Sequence, residues 1–278
     1  MYKIILFFLI IIILGVFNIL KHHVNERFSN NKKYLEIECT IKAGLSHQMS
    51  NLYAMLKEAK HRNITLILPH FKLHGCHNNN KELLSNLTEY YNFDKLKING
   101  EKMIVVKDGS NIDPDTILKL RINDQLITNN KKLIFDRTIN YNISIPYQND
   151  ILSIAENVSN KLGKLACVHV RRGDMLKFKP NLDNNTQSKK IISKLKKYDF
   201  DNVYIMTNEK QLGIFDDVKK KFNTYFFKDF DILKNEPDNY RLFAIEKCIM
   251  ENASIRISTF KVKNSYYDDY LSEITGFQ

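Results

Sequence analysis

A run of six residues, His169-Val170-Arg171-Arg172-Gly173-Asp174, has the residue types and the spacing needed to bind an anion. It follows the apolar segment Leu165–Val168, which predicts a buried parallel strand with the charged side chains at its carboxyl end. Open α/β sheets bind their ligands at that edge. An arginine guanidinium carries five N–H donors in a planar fork that matches a phosphate, and Asp174 is placed to hold one of the two forks. The run therefore predicts a site for a phosphate-bearing ligand.

Two other interpretations of this run remain open from the sequence. The first is a surface ion-pair cluster that closes the strand and binds nothing. The second is an adhesion motif formed by Arg172-Gly173-Asp174. So short a string recurs by chance, and here it directly follows a predicted buried strand, which disfavours the adhesion motif.

Two later segments also place polar residues at the ends of predicted strands. The strand-like Val203–Met206 is followed by Thr207, Asn208 and Glu209, and a second strand beginning at Ile255 ends in Ser258, Thr259 and Phe260. Hydroxyl and backbone N–H groups at a strand-to-helix turn suit the binding of a diphosphate. Each segment alone is typical of an ordinary strand end, and the order and spacing of the set make it more specific.

Together the three segments resemble the motifs of the GDP-fucose-dependent fucosyltransferases, a superfamily that includes the α1,2-, α1,6- and protein O-fucosyltransferases. The resemblance implies that Arg171 is the catalytic residue that stabilises the departing diphosphate without a metal. It also implies that His169 and Asp174 orient the arginines and the ribose. The other donor-binding residues that it implies are Arg172, Thr207, Asn208, Glu209, Ser258, Thr259 and Phe260.

A fourth similarity lies near the start of the globular part. The turn Gly44–Met49 follows the strand-like Leu35–Lys42 and resembles the Gly-Leu-Gly-Asn-Gln-Met turn of the α1,2-fucosyltransferases. It implies that Gly44, His47 and Gln48 lie on the acceptor side. Apart from the resemblance, His47 is the candidate general base, because a histidine at the tip of the first domain suits that role. A glycine turn that only begins a helix, with His47 near its cap, is the alternative.

The chain also departs from the α1,2 pattern. Ala43 and His47 stand where many of those enzymes have glycine and asparagine. Ser-Thr-Phe continues into Lys261-Val262-Lys263 instead of Ser-Trp-Trp, and the chain contains no tryptophan. The resemblance therefore supports the GDP-fucose donor more strongly than the linkage.

Composition and charge limit the other functional classes. With 278 residues, 44% hydrophobic and 26% charged, the chain can bury one large core or two small ones. Its net charge of +11 comes largely from lysines on predicted helix faces, without a zinc-finger, helix-turn-helix or RNA-recognition signature, so no nucleic-acid partner is expected. The anionic donor and an anionic membrane surface suffice as partners for this charge.

No metal cofactor is expected from the cysteines or the acidic residues. The cysteines at 39, 76, 167 and 248 lack metal-ligand spacing, although a Cys39–Cys76 disulfide is compatible with an oxidising lumen. Two Asp-x-Asp triplets, at Asp113 and Asp229, are alternatives for metal binding. The Asn/His-rich loop His70–Asn80, with its histidines at 70, 74 and 77 and Cys76, is another.

The first segment of the chain predicts a membrane anchor. Ile4 to Leu20 is almost entirely apolar over seventeen residues and lacks a small-residue cleavage site, which favours a single-pass signal anchor over a cleaved signal. The family resemblance implies a catalytic part in the lumen of the Golgi or endoplasmic reticulum. Asn-x-Ser/Thr triplets such as those at Asn63 and Asn184 are compatible with glycosylation there.

The pattern of strands and helices predicts an α/β fold. A βαβ unit is predicted by a strand at 35–42, a helix at 47–61 and a strand at 64–68, with weaker strands at 103–106 and 132–135. From 149 onward the predicted alternation is regular, with helix 149–162, strand 164–170, helix 187–197, strand 202–206, helix 210–222, strand 224–228, helix 238–251 and strand 254–258.

The resemblance implies that these elements form a GT-B-like fold, with two Rossmann-like domains facing a cleft, preceded by one transmembrane helix. Its domains would be a tail, anchor and linker at 1–34, an acceptor-side domain at 35–148 and a GDP-fucose-binding domain at 149–278. The implied activity is inverting transfer of L-fucose from GDP-fucose to a hydroxyl of a glycan or glycoprotein, with an α1,2-like linkage favoured. The alternatives are a protein O-fucosyltransferase-like enzyme, an inactive membrane-anchored carbohydrate-binding relative, and a basic peripheral protein.

Overall fold

A computed structural model of the chain describes residues 32–39, 42–75, 83–122, 133–135, 138–260 and 267–273. The predicted anchor at 4–20 lies outside these ranges, as do Cys76 and the segment 261–263. Within these ranges, no helix is both long enough and apolar enough to cross a bilayer.

The N-terminal part is built on a parallel sheet. In chain order its elements are β1 (Tyr34–Cys39), β2 (Lys42–Ala43), α1 (Leu45–Arg62), β3 (Thr65–Ile67), β4 (Phe71–Leu73), β5 (Leu83–Ser85), β6 (Lys97–Ile98), β7 (Glu101–Lys102), β8 (Val105–Val106), β9 (Ile117–Ile122) and β10 (Ile143–Ser144). The main sheet has the order β8-β3-β1-β9, and every pair in it is parallel. The predicted βαβ unit is confirmed by β1, α1 and β3.

The C-terminal part is built on a second, larger sheet. Its elements are α2 (Asn149–Leu162), β11 (Leu165–Val170), α3 (Asn181–Asn185), α4 (Ser188–Leu195), β12 (Asn202–Thr207), α5 (Asp216–Lys221), β13 (Thr224–Tyr225), α6 (Asp231–Lys234), α7 (Asn239–Asn252), β14 (Ile255–Phe260) and β15 (Tyr267–Glu273). The strand order is β13-β12-β11-β14-β15, with parallel pairs throughout except the antiparallel β14–β15 pair.

Strand β11 lies at the centre of this sheet and is buried at all six positions. Successive side chains of a strand point to opposite faces. Leu165 and Cys167 accordingly belong to a core that also contains residues of α2 and α7, whereas Ala166 and Val168 belong to a second core under α4 and α5. Layers on both faces explain why this strand is apolar in the sequence from Leu165 to Val168.

The two parts share one continuous apolar core, to which residues of α1, α2 and α7 contribute. Hydrogen bonds cross between the parts at the beginning of α7. The hydroxyl of Tyr90 donates to Asp238 at 2.7 Å, and the hydroxyl of Tyr240 donates to the carbonyl of His74 at 2.8 Å. Helix α7 is thus fastened to the N-terminal part at its beginning, and its other end leads into β14. The division into domains at 148/149 stays a prediction.

The predicted strand at 132–135 is wrong for its described residues, 133–135, which form no strand. The reason is a carboxylate on α1. Glu58 is fully buried and accepts hydrogen bonds from the N–H groups of Ile134 and Phe135, both at 2.9 Å, as well as one from the side chain of Arg62. A side chain therefore occupies the donors that a neighbouring strand would otherwise bind.

The predicted helix at 210–222 is shorter than expected. Residues Leu212–Phe215 form a 3₁₀ turn, and the α-helix occupies only Asp216–Lys221. Gln211 precedes the turn with an extended ψ of 83°, so the helix cannot extend back to 210.

Candidate functional site

The three motif segments meet at the carboxyl edge of the second sheet. In the register of the parallel strands, His169 of β11 lies between Met206 of β12 and Ser258 of β14. Because parallel strands end at the same edge of a sheet, the residues that follow them are neighbours in space. The sequence prediction that these segments come together is realised by this register.

His169 is linked to the third segment through its ring. Its Nδ1 atom lies 3.0 Å from the hydroxyl oxygen of Ser258, and both residues are buried. Burial, together with the positive charges of Arg171 and Lys247, lowers the pKa of His169 from 6.5 to about 3. The imidazole is therefore neutral at physiological pH, and it orients its neighbours by hydrogen bonding without adding positive charge.

The backbone that follows β11 is held from both sides. The N–H of Arg171 donates to the hydroxyl of Thr259 at 3.0 Å, and the N–H of Arg172 donates to the side-chain oxygen of Asn208 at 2.9 Å. Thr207 adds a third link, since its hydroxyl donates to the carbonyl of Val170 at 2.7 Å. The chain therefore leaves the strand in a direction that β12 and β14 both determine.

The two arginines differ in exposure. Arg171 is half-buried at the edge of the sheet, and its Nε atom is buried. Arg172 is almost completely buried, and its guanidinium forms ion pairs with Asp183 and Glu209. Of the two side chains, that of Arg171 is the better placed to meet a ligand at the surface.

Among the remaining predicted donor-binding residues, some are buried in the sheet and others have side chains that the structure does not describe. Ser258 and Thr259 are fully buried, and their hydroxyls contact His169 and the backbone of Arg171. Asp174 belongs to the 3₁₀ turn Gly173–Lys177, and Phe260 ends β14, but the side chains of both lie outside the described part of the structure. Direct contact of these residues with a donor stays a prediction.

Lys247 is a cation that the motifs did not reveal. It lies on α7, close enough to His169 to lower the pKa of that ring, and burial lowers its own pKa. Its sequence signal was a single lysine in an apolar helical pattern, at a position where a helix of this period turns toward the sheet. A second cation besides Arg171 therefore lies near His169, and Glu251 is close enough to offset part of its charge.

The predicted acceptor-side residues at the beginning of α1 differ in their exposure to solvent. Gly44 precedes the helix, and its carbonyl accepts hydrogen bonds from the N–H groups of His47 and Gln48. The side chain of His47 is exposed, whereas Gln48 is fully buried and donates to the carbonyl of Lys72 at 3.1 Å. Gln48 thus fastens α1 to β4, and His47 is the one of this pair that solvent reaches.

The alternative metal sites have other roles where they are described. Asp113 caps a 3₁₀ turn by accepting the N–H of Asp115, and Asp229 accepts the N–H of Phe226. Over the described ranges, no group of three or more His, Cys, Asp or Glu side chains is arranged to hold a metal ion. Cys167 and Cys248 are buried free thiols, whereas the side chains of Cys39 and Cys76 lie outside those ranges.

Comparison with known proteins gives a structural result only. No protein-family model and no curated protein matches this sequence. The structure is similar to that of POFUT1 in complex with GDP-fucose, with a TM-score of 0.56 and 10% identity over 82% of this chain and 91% of POFUT1. A crystal of POFUT1 in complex with GDP gives a TM-score of 0.54 at 10% identity, over 82% and 92% of the two chains.

The fucosyltransferase NodZ from Bradyrhizobium gives a lower TM-score of 0.48, with 13% identity over 87% of this chain and 98% of NodZ. At such identities, structural similarity establishes the fold and leaves the activity to be argued from the site. The α/β architecture with parallel sheets, which the alternation of strands and helices predicted, is confirmed. The chain therefore shares the GT-B-like fold of the fucosyltransferases.

Proposed function

We propose that this protein is a glycosyltransferase that moves L-fucose from GDP-fucose to a hydroxyl of an acceptor. The observation that carries the proposal is the meeting of three distant segments, led by Arg171, Asn208 and Thr259, at one sheet edge. These segments resemble fucosyltransferase motifs, and they lie in a fold similar to that of a structure bound to GDP-fucose.

The chemistry of such a transfer requires positive charge at the leaving group. As the bond between the sugar and the β-phosphate breaks, negative charge accumulates on the phosphate oxygens, and preorganised donors lower the barrier most effectively. Arg171 supplies a guanidinium at this edge, and Lys247 lies near the adjacent His169. A bound diphosphate would offset the repulsion between Arg171 and Lys247. His169 is neutral and does not add to this repulsion.

The transfer is proposed to invert the anomeric carbon in a single displacement. The acceptor oxygen forms its bond to that carbon while the bond to the β-phosphate breaks, and the bonding electrons leave with GDP. The hydroxyl proton passes to a general base, for which we propose the exposed His47. The resemblance of Gly44–Met49 to the α1,2 enzymes supports an α1,2-like linkage to a glycan or glycoprotein acceptor.

Further parts of the proposal concern the setting of the enzyme. The apolar segment at 4–20 supports a single-pass signal anchor and a catalytic part in the lumen of the Golgi or endoplasmic reticulum. The guanidinium of Arg171 at the sheet edge supports catalysis without a metal cofactor, because its charge and its fork of donors complement a diphosphate. A protein O-fucosyltransferase-like activity is the second candidate, favoured by the absence of the Ser-Trp-Trp continuation of the α1,2 enzymes.

The central experiment measures GDP binding and GDP release with the purified full-length protein. Calorimetry should detect GDP, with UDP and ADP as controls that bind more weakly. GDP-fucose should release GDP, faster with a productive glycan or polypeptide acceptor than alone. An inactive carbohydrate-binding relative would bind glycans without consuming GDP-fucose, and a protein that binds neither GDP nor GDP-fucose would contradict the proposal.

A further inference from the structure

Arg172 has a guanidinium that is too deeply buried to act as a surface contact. The residue is 5% exposed, and its side chain 7%. A buried charge is tolerated when each of its donors meets an acceptor and an opposite charge lies close by. The acceptors of Arg172 therefore indicate whether its guanidinium binds a ligand or holds parts of the protein together.

The acceptors come from the protein itself. The Nε–H of Arg172 donates to Glu209 at 3.2 Å. One terminal nitrogen donates both to the hydroxyl of Thr186 at 2.6 Å and to the carbonyl of Asp183 at 3.1 Å, and the other donates to the carboxylate of Asp183 at 2.5 Å. Four of the five N–H groups of a guanidinium are thus occupied.

This occupancy limits how Arg172 could meet a phosphate. Bidentate binding uses two parallel N–H groups on one edge of the guanidinium fork. Because Nε and one terminal nitrogen are fully used, the single N–H that remains has no parallel partner. These four contacts belong to Arg172 and do not involve Arg171, which is half-buried at the sheet edge.

The partners of Arg172 close a loop. Asp183 lies within α3 and Thr186 directly after it, so the contacts join the end of β11 to a segment 11 to 14 residues further along the chain. Glu209 adds the turn after β12. Gly173 also lies close to this turn, because a Cβ atom added there would lie 2.3 Å from the side-chain nitrogen of Asn208.

We propose that Arg172 is a positioning residue. It closes the loop 173–186 and thereby holds the backbone of Arg171 in place, while Arg171 alone contacts the diphosphate. This inference rests on the proposed function. The motif resemblance places both arginines at the donor, whereas the inference gives contact with the diphosphate to Arg171 and positioning to Arg172.

Two variants on opposite sides of the same ion pair test the inference. Arg172→Lys and Asp183→Asn should each increase amide hydrogen exchange across 173–186, and each should weaken GDP binding by a similar factor of roughly ten. Combined, they should weaken binding little more than Arg172→Lys alone, because that variant has already lost the contact to Asp183. Arg171→Lys should leave exchange in 173–186 unchanged and weaken GDP binding by roughly a hundredfold.

Asp217→Asn is the matched control, since Asp217 is an exposed aspartate paired with Lys220, and this change should alter neither measurement. The inference is overturned if Arg172→Lys abolishes GDP binding while exchange stays at the wild-type rate and Asp183→Asn binds GDP normally. It is equally overturned if Arg172→Lys changes neither exchange nor affinity. A wild-type protein that binds no GDP would sink the proposed function instead, and exchange would still show whether Arg172 closes the loop.

Discussion

The ring of His169 and the hydroxyl of Ser258 lie 3.0 Å apart on neighbouring parallel strands, although 89 residues separate them in the chain. This contact joins the first and third motif segments inside the sheet. The next contact toward the carboxyl edge is the hydrogen bond from the N–H of Arg171 to the hydroxyl of Thr259. Because both partners are buried, the pair is part of the frame that positions the edge. A neutral imidazole serves this purpose without placing another charge beside Arg171.

Arg171→Lys is expected to lose nearly all transfer while the fold stays intact. Lysine keeps the charge but not the bidentate fork, and the loss of such a contact costs roughly 2–4 kcal/mol in the transition state. The expected result is a decrease of about a hundredfold or more in kcat/KM, with an unchanged circular dichroism spectrum and melting temperature. Normal turnover by the folded variant would show that Arg171 does not meet the diphosphate.

Activity is expected to survive chelation. The positive charge that a divalent ion would bring to the diphosphate is supplied by the arginine at the sheet edge. Transfer rates should be equal with a chelator and with added manganese or magnesium. A strict requirement for either metal would contradict this prediction, and substitution of Asp229 and Asp231 would then identify the ligands.

GDP affinity should distinguish the two ends of the proposed active site. Thr259→Ala removes the hydroxyl that holds the backbone of Arg171, and it should weaken GDP binding by roughly three- to thirtyfold. Thr259→Ser keeps the hydroxyl and serves as its control. His47→Ala should leave GDP affinity unchanged and impair acceptor use. Calorimetry that shows the reverse pattern would mean that the donor and acceptor sides are wrongly assigned.

His169 is expected to make the protein less stable in acid. Because the pKa of His169 is about 3 in the folded protein and 6.5 when unperturbed, the unfolded chain binds its proton first as pH falls. The stability that the neutral ring contributes is present above pH 6.5 and decreases toward pH 3. Between pH 6.5 and 4.5 the loss is roughly 2–3 kcal/mol in the free energy of unfolding.

Denaturant titrations of His169→Asn should therefore show a smaller decrease over this range than wild type. His61→Asn, at an exposed histidine, is the control and should follow the wild-type curve. A His169→Asn curve parallel to that of wild type would show that the ring is not held neutral.

Glu246 is expected to act in the opposite direction. Burial raises the pKa of its carboxyl from 4.5 to about 8, while the hydroxyl of Tyr204 donates to it at 2.8 Å. Its protonated form is stable in the core below pH 4.5, and this stability is lost as pH rises from 4.5 through 8. The total loss is on the order of 3–5 kcal/mol in the free energy of unfolding.

Glu246→Gln keeps an oxygen acceptor for Tyr204 and cannot ionise, so its stability should decrease less than that of wild type between pH 5 and 8. Glu156→Gln, at an exposed position of α2, is the control. Equal slopes for Glu246→Gln and wild type would contradict the raised pKa.

Local patterns predicted much of the second sheet. The helix at 149–162 has the predicted bounds, and β11, β12 and β14 lie where apolar runs end in polar turns. Such elements are encoded by residues within one or two turns of each other, so a period of 3.6 or an unbroken apolar run is sufficient to identify them. The short strands of the N-terminal part carry too few residues for a period to be visible.

Partners that are distant in the chain were not visible in the sequence. Glu58 binds a segment 76 residues away, and this contact replaces the strand predicted at 132–135. Gln48, expected on the acceptor side, is buried against the carbonyl of Lys72. A residue type states which hydrogen bonds a side chain can form, but the fold decides which partner it reaches.

The same distinction separates the two arginines of the motif. The sequence by itself determined that two adjacent arginines follow β11 at the edge of a sheet, because these residues and the preceding apolar strand are neighbours in the chain. Only the tertiary structure decided that Arg172 faces inward to Asp183, Thr186 and Glu209 while Arg171 remains at the edge. The physical reason is that a guanidinium is satisfied by whichever acceptors the folded chain brings within about 3 Å, and the order of residues does not specify those acceptors.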